Sequence, residues 1–214
     1  MIESQREAVP RNDGGELDTA LAFLSFARSC VLKKVAGLTE EQLRRRLVVS
    51  DTTLLGLVQH LTDAERYWFG YTFAGDPRHA DVDFDMVVEP DRSPDQIIAG
   101  YRAAIAESDA HIRAAAGPDV LTAQPVGDAP RTLRWVLAHT TSETVRHAGH
   151  ADILRELIDG VTGRKAIAVR RRGGIASCRG PGTSSGCRFP DATRAGWSRP
   201  RPVRRRRGTP APAP

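Results

Sequence analysis

The chain has 214 residues, room for one good-sized domain with an appendage, and its net charge of +5 is unevenly distributed. Residues 1–164 carry 18 basic and 25 acidic side chains, a net −7, whereas residues 165–214 carry Lys165 and twelve arginines against Asp191 alone, a net +12. A nucleic-acid function argued from the overall charge would therefore rest on the tail alone. Three cysteines make no disulfide framework: Cys30 sits in a helical pattern as a small apolar residue, and Cys178 and Cys187 lack the paired spacing of a zinc ribbon. The stretch MIESQREAVPRNDGG has no apolar core of a signal peptide, and no run approaches the ~20 apolar residues that cross a bilayer. The body is expected to be soluble, cytoplasmic and without a membrane partner.

Residues 1–15 are expected to form a flexible N-terminus. The first helix is expected from Glu16 to Ala36, with Leu17, Leu21, Leu24, Ala27 (or Arg28) and Val31 at helical spacing and Gly37 as its stop. Thr39 and Gln42 have the spacing of a capping box and open a short helix through Leu47. A second long helix is expected from Thr52 to Phe73, with Leu54, Leu57, Leu61, Ala64 and Trp68 on one side and His60 next to it. Residues 76–91 read as an acid-rich loop with Pro77 and Pro90 as breakers. Ser93, Pro94 and Gln96 then open a third helix, to about Ala116, with Ile97, Tyr101, Ile105 and Ile112 as core candidates. The fourth helix spans residues 132–160, with Leu133, Val136, Leu137, Thr140, Ile153, Leu154 and Leu157 as its apolar stripe. No convincing strand precedes residue 164, so the body is expected to be an all-α, four-helix bundle over 16–163. Residues 164–214, rich in Arg, Pro and Gly, cannot bury enough apolar surface to offset their ordering entropy and are expected to be a disordered, solvated basic tail. Non-specific nucleic-acid contact by that tail is the disfavoured reading.

The chemistry-bearing pattern lies on the second and fourth helices. Glu143 and His147 are four residues apart, one turn along one helix face, so both can reach one ion, and His60 is a third candidate ligand on an earlier helix. Two imidazoles and a carboxylate suit zinc in a site that leaves a fourth position open; nickel or iron fits the same donors. Taken alone, Glu143 and His147 would be an exposed helix pair worth about 0.2–0.5 kcal/mol, and His60 a satisfied core histidine.

The segments Thr53-Leu-Leu-Gly-Leu-Val-Gln-His60-Leu, Glu65-Arg-Tyr-Trp-Phe69, Leu133-Arg-Trp135 and Arg146-His147-Ala-Gly-His150-Ala-Asp-Ile-Leu-Arg-Glu-Leu-Ile-Asp-Gly160 resemble the DinB-like metalloprotein superfamily. The branch they are most similar to groups mycothiol S-transferases with mycothiol-dependent maleylpyruvate isomerase. The resemblance covers residues 16–163 and leaves the tail unmatched. It implies an up-down-down-up four-helix bundle, often a homodimer, with a divalent metal near the bundle mouth. It also implies the ligand set: His60 matches the family's second-helix histidine, and His147 the second half of a His-x-x-x-His pattern. Glu143 takes the place of the first half, as in the isomerase branch. His150 falls on the glutamine that ends the family pattern and reads as a supporting residue; His139 is a minor alternative ligand in a shifted register.

The activity implied is metal-dependent S-transfer, in which a metal-bound low-molecular-weight thiol, with mycothiol the candidate, attacks an electrophile. Arg66, Tyr67, Trp68 and Phe69 are candidates to line a substrate pocket, although Trp68 and Phe69 also read as core. Arg44–Arg46 are candidates to hold an anionic thiol, against the plainer reading of a solvated basic face. The competing view is a non-enzymatic bundle that acts as a binding or stress-response module with structural metal or none.

Overall fold

A computed structural model of the protein describes residues 9–11 and 14–162. Most of the expected flexible N-terminus (1–15) and the whole tail (164–214) lie outside the described residues. The described chain is all-α, with no strand. Its helices are α1 (Glu16–Val35), the single turn α2 (Glu40–Leu43), α3 (Leu54–Glu65), α4 (Pro94–Ala114) and α5 (Leu133–Asp159). α1 packs chiefly on α5 and α3 chiefly on α4, while α3 also touches α1 and α5.

The starts are set by local chemistry. Thr39 and Ser93 form complete capping boxes with Gln42 and Gln96, and Thr53 and Thr132 accept from the amides of Gly56 and Trp135. Each such cap is worth about 1 kcal/mol. α5 stops at Gly160, whose φ of 74° is left-handed.

Three expectations are corrected. The short helix opened by Thr39 stops at Leu43, not Leu47. α3 continues into a π-helical segment, Arg66–Phe73. An α-helical repeat after Leu57, Leu61 and Ala64 would bury Trp68 next. The wider π turn passes that place to Phe69, which is fully buried, and leaves Trp68 half-buried. On α5, Ile153 and Leu157 are 57 % and 55 % exposed, not core. The inward stripe there is Ala148, Ala151, Leu154 and Arg155. Small residues let α1 approach, and Arg155 donates to the carbonyl oxygens of Lys34 and Ala36 at 2.9 and 2.8 Å.

The buried apolar residues form two groups. One centres on Leu54, Leu57, Leu61, Tyr101 and Leu154, the other on Leu24, Phe69, Ile112, Leu133 and Leu137. Between them along the helices come Arg28, Glu65, Ser108, Thr140 and Thr144, all buried. Arg28 donates to both Glu65 oxygens, at 2.7 and 2.6 Å, and to Asp109 at 2.7 Å, tying α1 to α3 and α4.

Candidate metal centre

α3 and α5 bring His60, Glu143 and His147 together. One donor atom from each lies within 4.8 Å of the other two. His60 and His147 are buried and Glu143 is half-buried. The rings of His60 and His147 stand 4.7 Å apart. All three expected ligands therefore converge, from the two expected helices.

The backbone carbonyl of Phe84 lies 2.8 Å from His60 Nδ1. A carbonyl can only accept, so Nδ1 carries the hydrogen and Nε2 is the coordinating nitrogen. Such an anchor orients a ligating imidazole and fixes its tautomer. Nε2 then faces Glu143 Oε1 at 3.3 Å. Two lone pairs at that distance need a positive species between them, either a proton or a metal ion. Without a metal, the proton is favoured: the hydrogen bond to Glu143 raises the His60 pKa above its ordinary value despite burial. The same bond lowers that of Glu143 against desolvation. His147 goes the other way. Burial first, and then the charge on His60, push it down to about 4, so its imidazole is neutral at pH 7.

Two buried atoms in this group have no hydrogen-bond partner, Glu143 Oε2 and His147 Nδ1. Unpaired buried polar atoms are costly and uncommon. An ionised carboxylate beside a neutral imidazole is also the protonation state a metal requires. The donor set thus fits a divalent cation.

The neighbours sort the remaining candidates. His139 Nε2 lies 3.6 Å from Glu143 Oε2, one turn earlier on α5, and is placed to orient that carboxylate. The His150 ring stands 5.5 Å from that of His147 and lines a cavity of about 220 Å³ with Val48, Ser50, Thr52, Ile153 and Leu154. Tyr67 and Trp68 lie on the site's side of the π segment, whereas Phe69 is core and Arg66 pairs with Asp63. Arg44 and Arg46 line a second cavity of about 420 Å³. Arg44 binds Glu40 and the carbonyls of Val88, Glu89 and Arg92, and Arg46 binds Asp51 and the carbonyls of Val49 and Ser50. Their charge is committed to loop closure.

Sequence reasoning missed Phe84, because a backbone acceptor leaves no side-chain signal. It also missed Gly56. A Cβ there would overlap the Met86 carbonyl oxygen and lie 2.9 Å from its carbon, so only glycine lets the loop holding Phe84 cross α3. Asp76, His79 and Glu107 form another compact group, but Arg78 bridges both carboxylates and offsets one of their two charges.

Two histidines and a carboxylate thus meet from two helices of an all-α protein, a donor group of the kind that can hold a metal ion inside a helical bundle. The sequence profile described as Mycothiol-S-transferase matches residues 19–160, and the chain belongs to that family. No curated protein matches the sequence.

Proposed function

We propose that the protein is a divalent-metal-dependent thiol S-transferase that joins a low-molecular-weight thiol, mycothiol by the family's description, to an electrophile. His60, Glu143 and His147 would hold the metal, with zinc the first candidate and nickel or iron the alternatives. Bound there, a divalent cation would supply the Lewis acidity that keeps a thiol as its nucleophilic thiolate. The observation that carries the reading is the converged triad with two buried atoms that have no hydrogen-bond partner, Glu143 Oε2 and His147 Nδ1.

The Phe84 carbonyl holds the His60 ring, and His139 sits against the outer oxygen of Glu143. The cavity beside His150 offers room for part of a small thiol. The same proposal assigns the activity to residues 16–163, gives the tail no part in it, and places the enzyme in the cytoplasm as a homodimer. No described helix is long and apolar enough to cross a membrane.

The test is elemental analysis of the full-length protein beside His60→Ala and Glu143→Ala. About one zinc per chain is expected in the wild type, lost in both variants. A wild type that takes up neither zinc, nickel nor iron would leave the non-enzymatic bundle as the better reading.

A further inference from the structure

An aromatic surface joins the two sides of the candidate metal centre. The Phe84 ring stands 5.9 Å from His60, and Tyr67 lies 5.3 Å from Phe84 and 5.3 Å from Trp68. Trp68 is 4.4 Å from His139 and 5.7 Å from Trp135. The rings of Trp135 and His139 are nearly parallel, 7° apart at 5.1 Å. The row thus begins at one candidate ligand, His60, and ends on the neighbour of another, Glu143.

Core packing accounts for only part of it, since Trp68 also rests against the second apolar group. Phe84 is 39 % and Trp135 38 % exposed, and Tyr67 and Trp68 are half-buried. Trp68 is in the row because of the π segment, an uncommon turn with poorer hydrogen bonding that is found often at functional sites. A regular α-helix would have turned this indole into the core. Partly exposed aromatic rings beside polar donors offer a surface on which a flat conjugated ligand can stack.

We infer that this surface is the electrophile subsite of the proposed transferase, and that it selects flat, conjugated electrophiles such as activated aryl halides over aliphatic ones. The chemistry rests on the thiol-transfer reading; the stacking does not. In the reaction the thiol sulfur bonds to the ring carbon, chloride departs with the carbon–chlorine electron pair, and the thiol proton goes to solvent. Trp135 is the specificity-determining residue, since it is the most accessible indole of the row that reaches His139.

The experiment has two readouts on the full-length, zinc-loaded protein. The first compares kcat/KM for mycothiol with 1-chloro-2,4-dinitrobenzene and with iodoacetamide, in the wild type, Trp135→Leu and Trp135→Phe. The aryl-to-aliphatic ratio should fall about 3- to 10-fold in the leucine variant, the effect of one aromatic contact, and recover in the phenylalanine variant. The second is an NMR titration with unreactive 1,3-dinitrobenzene, which should saturate in the wild type and weaken by a similar factor in Trp135→Leu. A ratio and an affinity both indifferent to Trp135→Leu would overturn the inference. Trp135-dependent binding with no turnover of either electrophile would uphold the stacking surface and sink the thiol-transfer reading instead.

Discussion

Replacing Arg28 by methionine tests the polar layer across the bundle. Arg28 is 2 % and Glu65 1 % exposed, and the guanidinium satisfies both Glu65 oxygens and one of Asp109. Methionine keeps an unbranched apolar stem of similar reach, so the loss is mainly of charge. Glu65 is then left in the interior without its partner, which costs about 3–5 kcal/mol. For a domain of this size each kcal/mol moves Tm by roughly 2–4 °C, so a fall of about 6–20 °C is expected. Thermal and urea unfolding at neutral pH would measure it. The companion variant, Arg28→Met with Glu65→Leu, removes both charges and should recover most of the loss, since Asp109 still has Arg113 at 3.2 Å. A single variant within about 1 kcal/mol of wild type, or a double variant no better than the single, would refute the argument that the pair is held dry.

Metal-free protein should lose stability on acidification. The folded pKa of His147, about 4, lies below the ordinary 6.5, so between those values the unfolded chain binds more protons. The loss is at most about 1.4 kcal/mol per pH unit. His147→Asn should flatten that limb in pH-dependent unfolding, and an unchanged slope would count against the assignment. His60 has the opposite sign: its raised pKa gives stability complete below 6.5 and lost as pH rises through the folded value. Gly56→Ala should force the Met86 carbonyl outward, detach the Phe84 carbonyl from His60 and weaken zinc binding about 10- to 100-fold, as loss of a supporting contact does; a competition titration with unchanged affinity would show that the loop does not hold the ring. If the exposed Ile153 and Leu157 lie in a homodimer interface, light scattering should give a dimer for wild type and a monomer for Ile153→Asp/Leu157→Asp; wild type running as a monomer would discard that part of the proposal.

Local rules carried the helix starts and the ligands. Capping signals at Thr39 and Ser93 depend on neighbouring residues alone, so they were legible, whereas the single-bond caps at Thr53 and Thr132 lack the Gln partner that marks a box. Glu143 and His147 were legible as a pair because helical spacing is fixed, and His60 as a third candidate on an earlier helix, but preferring it to a satisfied core histidine needed the family resemblance. The convergence itself is a tertiary fact. What stayed hidden depends on packing: the π segment, which moves Phe69 inward and Trp68 to the edge, has no periodic mark in the sequence. Ile153 and Leu157 misled because α5 offers two apolar stripes, and only contact with α1 decides that Leu154 faces in. Arg28 lies next to Ala27 in the pattern, and the partners that bury its charge are 37 and 81 positions away.

The polar residues inside the bundle follow one logic. Leucines at 28, 65, 140 and 144 would join the two apolar groups into one core and add stability, since a buried ion pair rarely outperforms well-packed hydrophobic side chains. Instead the layer holds the Arg28–Glu65 pair and two threonines. The Thr144 hydroxyl donates to the Thr140 carbonyl at 2.8 Å, and on α3 Thr62 donates to the Val58 carbonyl at 2.8 Å. The Thr144 and Thr62 hydroxyls are thus satisfied within their own helices, whereas the buried Thr140 Oγ1 has no hydrogen-bond partner. The layer therefore gives up core packing for polar groups beside the triad, whose Glu143 Oε2 and His147 Nδ1 have no hydrogen-bond partner, an arrangement that costs stability unless a cation takes up those donors.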